Sequence, residues 1–254
     1  MKINDLTKPV VVAFLMICLC LLSAAVCQGG TLSDNFDGNA INTRLWKAFQ
    51  DSQNQRVFQE QGELRIQIDG TSVGKKFSAG LNSKFLLKGN FQISVDFRMI
   101  TWPAGNGTAM GLQSTSTSPL GFFLQRLSLG TNDPLAAMGT DGYMADFLEN
   151  HGSLDVFRPF SPVDHGSLKI KRIGQQLTAY LGLSGSWIEI SGYTYRATFP
   201  EWMAITLQAN NGWFDHWAYF GGKDVDIAFD NFLVTYDQIK YISDQPRVPM
   251  LLLD

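Results

Sequence analysis

Cysteine is nearly missing from this chain, and where it occurs is informative. All three, Cys18, Cys20 and Cys27, fall in the first 27 of 254 residues. The remainder therefore has no disulfide framework and must be held by its core, which about 220 residues can supply. Histidine is also scarce. His151, His165 and His216 are the only three, and none stands in a metal-ligand spacing. The formal charge is only −3, so no basic surface argues for nucleic acid. Apolar residues at helical spacing, internal repeats and low-complexity linkers are all lacking after the N-terminus, which leaves no basis for a second domain. No Gly-x-Ser-x-Gly elbow supports a serine nucleophile.

What is present at the start is an address. Lys2 and Lys8 flank a polar opening, and Pro9–Cys27 is apolar and uncharged, ending in Ser23-Ala24-Ala25. That is the pattern of a signal peptide cut near Ala25–Gln28. The run is also just long enough for a signal anchor, and Cys27 could carry a lipid, although Val26 departs from the small residue a lipobox requires. Removing Lys2, Asp5 and Lys8 with this segment moves the formal charge from −3 to −4. The expected division is a targeting segment over 1–27, one domain over 28–240 and a tail over 241–254. The tail's Leu251–Leu253 is too short to span a bilayer. The expected location is outside the cell or in the cell envelope, as a monomer with no membrane contact beyond that possible anchor.

The rest reads as strands. Phe91, Ile93, Val95, Phe97 and Met99 alternate with Gln92, Ser94, Asp96 and Arg98. Ser167–Ile173, Leu177–Leu183 and Trp187–Ile190 alternate in the same way between Gly174-Gln175-Gln176 and Ser184-Gly185-Ser186, an antiparallel meander. Leu64, Ile66 and Ile68 point inward between Gly62 and Gly70. Further strands are expected over 80–87, 110–113, 121–126, 141–147, 154–157, 203–209 and 225–235. Gly29–Asn35 reads as a linker, 103–107 and 149–152 as loops, and 127–134 as turn-rich. The 24 glycines and 18 phenylalanines suit many short strands joined by tight turns, an all-β sandwich.

Several of these pieces resemble the concanavalin A-like lectin/glucanase superfamily. They are Asn35-Phe36-Asp37-Gly38 with Leu45-Trp46, the strand after Gly62, Gly89–Arg98, the meander with Thr178-Ala179-Tyr180 and Trp187, and the closing Phe229-Asp230-Asn231-Phe232-Leu233-Val234. The resemblance spans nearly the whole chain after residue 28 and implies a jelly-roll sandwich of two antiparallel sheets. It implies no single activity, because that superfamily holds hydrolases, lyases, lectins and structural modules.

Its glucanases carry Glu-x-Asp-x-x-Glu, or a form one residue shorter, on one central strand, where alternate residues share a face and two carboxylates converge about 5 Å apart. No such run occurs here. The nearest, Asp224–Asp230, has Ala228 or Phe229 where the acid should stand and lies on the final strand. The Gln-x-His element of the related alginate lyases is also absent. The expectation therefore leans away from an enzyme.

The stretch 210–220 is richer in binding chemistry. Trp213, Phe214, Trp217, Tyr219 and Phe220 are interleaved with Asn210, Asn211, Asp215 and His216. Sugars offer an apolar C–H face that stacks on rings and hydroxyls that need paired donors and acceptors, so Asn210, Asn211, Trp213, Asp215, His216, Trp217 and Tyr219 are candidate ligand-binding residues. The alternative is that these rings plug one end of the sandwich. Trp102 and Trp187 read as packing residues, and Asn106-Gly107-Thr108 fits an N-glycosylation sequon.

Calcium is the one ion to consider, and no other cofactor is expected. The resemblance implies carbonyls near Phe36 and Gly62 with the Asp230 carboxylate, an oxygen-only set; alternatively Asp230 only caps a turn. Three functions stay open. The first is a non-catalytic glycan-binding protein, its polysaccharide or glycan on the concave sheet or against 213–219. The others are a divergent glycoside hydrolase or polysaccharide lyase, and a structural or adhesive surface protein.

Overall fold

The computed structural model describes residues 29–72, 76–115, 121–130, 141–149, 152–159, 163–195, 202–211 and 221–242. Among them there is no α-helix, only a single 3-10 turn at Gly70–Ser72. The strands are β1 (Gly30–Asp34), β2 (Trp46–Gln50), β3 (Gln55–Glu60), β4 (Glu63–Ile68), β5 (Ser78–Thr101), β6 (Thr108–Thr115) and β7 (Gly121–Ser128). They continue as β8 (Asp141–Glu149), β9 (Gly152–Pro159), β10 (His165–Ile173), β11 (Gln176–Leu183), β12 (Ser186–Thr194), β13 (Met203–Asn210) and β14 (Val225–Tyr241).

Every pairing is antiparallel, and β5 belongs to both layers of the sandwich. The first half of β5 lies between β2 and β13, as Ala48–Leu81–Leu207 shows. Its second half lies between β10 and β14, with Ile93 opposite both Ile170 and Val234. The change comes at Gly89, whose φ of +79° turns the chain, and Asp237 accepts a hydrogen bond from the Asn90 amide at 2.8 Å there. One layer thus runs β2-β5-β13-β6-β7-β8-β9 and the other β12-β11-β10-β5-β14-β4-β3, with β1 also on β14. The strands expected over 80–87 and 91–99 are a single 24-residue strand.

Alternation fills the space between the layers. Leu81, Leu207, Leu112, Leu124 and Ala145 form one cross-strand row of the first layer, and Phe91, Ile93, Val95 and Phe97 project from the second. Rings bridge the two: Phe97 lies 6.1 Å from Tyr143, and Phe147 stacks on Tyr193 at 5.9 Å. Trp46, 1% exposed, meets Phe36, Phe85 and Phe232 and donates its indole N–H to Asp34 at 2.9 Å.

That bond involves a segment expected to be a linker. Gly30–Asp34 is instead a strand, pairing from Gly30 with Tyr236 to Asp34 with Phe232. The final strand also extends past its expected end to Tyr241, and Glu149 and Gly152, expected in a loop, are paired strand ends. Asn150, His151, the targeting segment and residues 243–254 lie outside the described residues.

A charge is buried in the first layer. Arg126 is 1% exposed, lies 5.0 Å over the Tyr143 ring, and reaches Asp141 only at 3.9 Å. Its Nε and Nη1 atoms make no hydrogen bond, and burial pushes the Tyr143 hydroxyl up to about 12. A buried cation so incompletely paired costs more in lost hydration than the attraction returns. Replacing both partners, Arg126→Met together with Asp141→Leu, should therefore leave stability unchanged or raise it, by up to about 4 kcal/mol, seen as a higher urea midpoint at constant slope. A lower midpoint would show that the pair is a net stabiliser.

Candidate functional site

Of the residues marked by the resemblance, Asp230 leads to an open site. It lies on the outer face of the second layer, at the rim of a groove of about 500 Å³. Four local features build that groove. On β5 the inward Phe91–Met99 series forces Asp96 and Arg98 outward. On β10, Ser167 stands opposite Asp96 and His165 opposite Arg98.

The hairpin of β11 and β12 turns through Ser184 and Gly185, with φ of +49° and +79°. Two successive positive φ values make the tight turn that matches strand twist, and glycine takes the second without strain. The turn delivers Trp187 opposite Gly182. A Cβ on Gly182 would come within 3.0 Å of the Trp187 ring and of the Ser167 Cβ, so glycine lets the indole approach the β11 backbone closely.

The fourth feature is a bulge in β14, where the pairing with β5 slips between Asp230 and Leu233. Asn231 has φ of +50° there, a conformation asparagine tolerates. The bulge aims its side chain back over β5, where Nδ2 donates to Asp96 Oδ2 at 3.0 Å. Ser167 donates to the other Asp96 oxygen at 2.5 Å.

Trp187 corrects an expectation. It is 44% exposed and lines the groove, so it is not a packing residue. Lys169 Nζ lies 3.9 Å from its ring centre and 4.5 Å from that of Tyr180, and burial, then Lys171, holds the Lys169 ammonium below its usual range. Trp102 packs against the core as expected.

The groove's charges are unevenly matched. Arg98 is clasped by Glu63 through two hydrogen bonds, one of 3.0 Å, and this bonding raises its pKa. His165 Nδ1 pairs with Asp164 at 2.7 Å, which lowers the Asp164 carboxyl. Asp96 and Asp230 are direct cross-strand partners, and among the described residues neither has a cation within salt-bridge distance. Burial raises the Asp230 carboxyl, against a hydrogen bond from the Asn231 amide that lowers it, and Asp37, Asp96 and Glu63 raise it further.

Of the oxygen set that the resemblance implied for calcium, one carbonyl is already hydrogen-bonded. The Phe36 carbonyl accepts a hydrogen bond from Gln59 Nε2, which also reaches the Gly38 carbonyl at 2.8 Å. Among the described residues no group of three or more Asp, Glu, His or Cys could hold a metal ion. The Asp224–Asp230 run is structural at its start: Asp224 accepts from the Gly70 amide at 2.8 Å, and Asp226 is clasped by Arg65 and Gln67.

Asn210 and Asn211 are buried. Asn211 Oδ1 accepts from the Phe77 amide at 2.7 Å, which ties β13 to the start of β5. Trp213, Asp215, His216, Trp217 and Tyr219 lie outside the described residues. The sequon is structural as well. Asn106 is 1% exposed, and its carboxamide bonds both the carbonyl and the amide of Lys223, at 3.0 and 3.2 Å.

The middle strands of the first layer, β13, β6 and β7, contain no aspartate or glutamate. Their outward positions carry carboxamides: Gln208 donates to Gln113 and accepts from Ser78, while Gln125 is buried with neither amide atom hydrogen-bonded. These three strands therefore carry no carboxylate pair, whereas β8 beside them carries Asp141 and Asp146.

A non-specific endo-β-1,3(4)-glucanase of family GH16 superposes with a TM-score of 0.59 over 84% of this chain and 94% of its own, at 11% identity. The fold is the concanavalin A-like jelly roll. A LamA structure from Z. galactanivorans in complex with laminaritriose and laminaritetraose gives 0.59 at 12% identity, over 80% of this chain and 97% of its own. A glycosyl hydrolase family protein from Mycobacterium fortuitum gives 0.57 at 12%, over 80% and 98%. No family model matches the sequence, and no curated protein matches it significantly.

Asp230 gives a pH test. Its folded pKa is raised, so between the ordinary carboxylate value and that raised value the folded chain holds more protons than the unfolded one. Stability contributed there is present at low pH and lost as pH rises through the folded pKa. Asp230→Asn should be more stable than the parent at pH 7, with the difference vanishing toward pH 3 in urea titrations. An equal deficit at both pH values would show that the carboxylate is not strained.

Proposed function

We propose that this is an exported, non-catalytic glycan-binding protein whose ligand lies in the Trp187 groove. The observation that carries the reading is an exposed indole that lines one groove with Asp96, Ser167 and Asn231. A pyranose has an apolar C–H face for the ring and hydroxyls for the carboxylate, amide and hydroxyl next to it. The carboxylate-free strands β13, β6 and β7 support binding without cleavage, because glycoside hydrolysis needs a pair of carboxyl groups about 5 to 9 Å apart. The N-terminal apolar segment supports export. The fold is shared with glucanases, one of them bound to laminarin-type oligosaccharides, which supports glycan as the ligand class.

A second reading, a divergent glycoside hydrolase, is favoured by one feature. Asp96 and Asp230 face each other across β5 and β14, and the raised Asp230 carboxyl is suited to give up a proton while Asp96 is held by two donors. Product analysis separates the two, since only an enzyme releases shorter oligosaccharides on prolonged incubation.

Trp187→Ala should lower affinity for a bound glycan at least about tenfold, as expected for losing a stacking ring, with the circular dichroism spectrum unchanged. Screening a glycan array with parent and variant tests this. A bound glycan indifferent to Trp187→Ala would place the site elsewhere, with residues 213–219 the next to mutate; no bound glycan would leave the structural or adhesive role.

A further inference from the structure

The groove is acidic in a way the fold does not require. Asp96 and Asp230 are directly opposite on one face of an antiparallel pair, an arrangement that is unfavourable when both are ionised. Asp37 and Glu63 add to the same field, as their upward effect on Asp230 shows. The cations at the groove have other partners than these two carboxylates: Arg98 is bound by Glu63, Lys169 lies against Tyr180 and Trp187, and His165 pairs with Asp164. Asp96 receives hydrogen bonds from Ser167 and Asn231, and Asp230 from the Asn231 backbone and side-chain amides, all neutral donors that bring no charge.

Resting on the glycan-binding reading above, we propose that the groove selects amine-bearing sugars, glycans with unacetylated 2-amino-2-deoxyhexose units. Such a unit has both features the groove asks for. Its C–H face stacks on Trp187, and its ammonium approaches Asp96 and Asp230 from the groove, beside the Asn231 Nδ2 that already bridges them at 3.0 and 3.3 Å, and adds the positive charge that this neutral amide does not bring. A neutral hexose offers the stacking face without the charge. A uronate or sulfated sugar brings a like charge to an acidic wall and is disfavoured. Arg98 has the Nε and Nη2 edge of its guanidinium turned to Glu63, which offsets its charge.

The test is calorimetric titration of the purified protein at pH 6, where most of the amine is protonated. The probes are the β-1,4-linked glucosamine tetramer, its fully N-acetylated counterpart and laminaritetraose. The glucosamine tetramer should bind about tenfold or more tightly than either of the others, with an affinity that falls as salt is raised. Asp96→Asn and, separately, Asp230→Asn should erase the preference while leaving weak binding that still depends on Trp187. Two substitutions keep the test informative if one fails to fold.

Equal affinity for the three tetramers with Trp187 dependence intact would overturn the amine selectivity and leave the glycan-binding reading standing. A preference for the glucosamine tetramer that survives both substitutions would also overturn it. Failure of all three to bind, together with an empty glycan array, would remove the glycan-binding reading itself.

Discussion

The backbone hydrogen bonding of β5 is the constraint on which the rest depends. This strand is paired on both sides along most of its length, first by β2 and β13, then by β10 and β14. A strand paired on both edges cannot slip by one residue without turning its whole apolar set out of the core. That locks Phe91, Ile93, Val95 and Phe97 between the layers, and it locks Asp96 and Arg98 on the outer surface. The groove is thus as well defined as the core, because the same pleat produces both. β14 shares the duty, and it departs from regular pairing at three points, one of them at Asp230 beside the groove.

That departure matters because a regular strand would send the residue after Asp230 into the core. A bulge instead lets Asn231 reach back toward Asp96 while Phe232 still fills the space against Trp46 at 4.8 Å. The hairpin turn at Ser184-Gly185 does comparable work on the opposite wall, since it sets the phase in which β12 begins and hence the side on which Trp187 emerges. The site therefore rests on two local irregularities held by a long, regular frame.

How much of this was legible depended on whether information was local. The second half of β5, the meander and β4 declare themselves by alternation, since each has one buried face. β1 did not, because its five residues carry a single strong apolar side chain, Leu32, and its strand character comes from pairing with β14 some 200 residues away. The continuity of β5 was hidden by Lys88-Gly89-Asn90, which reads as a turn and is a bend within one strand. Trp187 is ambiguous in the sequence for a physical reason: at the start of an edge strand, a large apolar residue is equally consistent with either face. The site as an assembly was not legible at all. Asp96, Ser167, Trp187 and Asn231 sit on four strands whose order only the pairing reveals. The sequon shows the reverse case, a local pattern that is correct as text and excluded by burial of Asn106.

The charges bear on what the groove is for. Elsewhere in this layer partly buried carboxylates meet a cation: Asp226 has Arg65, with Gln67, and Glu63 has Arg98. Asp96 and Asp230 differ, because their bonds would be met nearly as well by a carboxamide. Ser167 and Asn231 need acceptors, and an asparagine oxygen at position 96 could serve one of them without bringing a second charge against Asp230. Two carboxylates in that place therefore cost the fold stability and return no contact that a neutral side chain could not largely make. Such local conflict, confined to an open groove beside an exposed indole, is expected where a surface is shaped for a ligand rather than for its own packing. The sign of the conflict, negative charge without a counter-charge, carries the identity of what is missing.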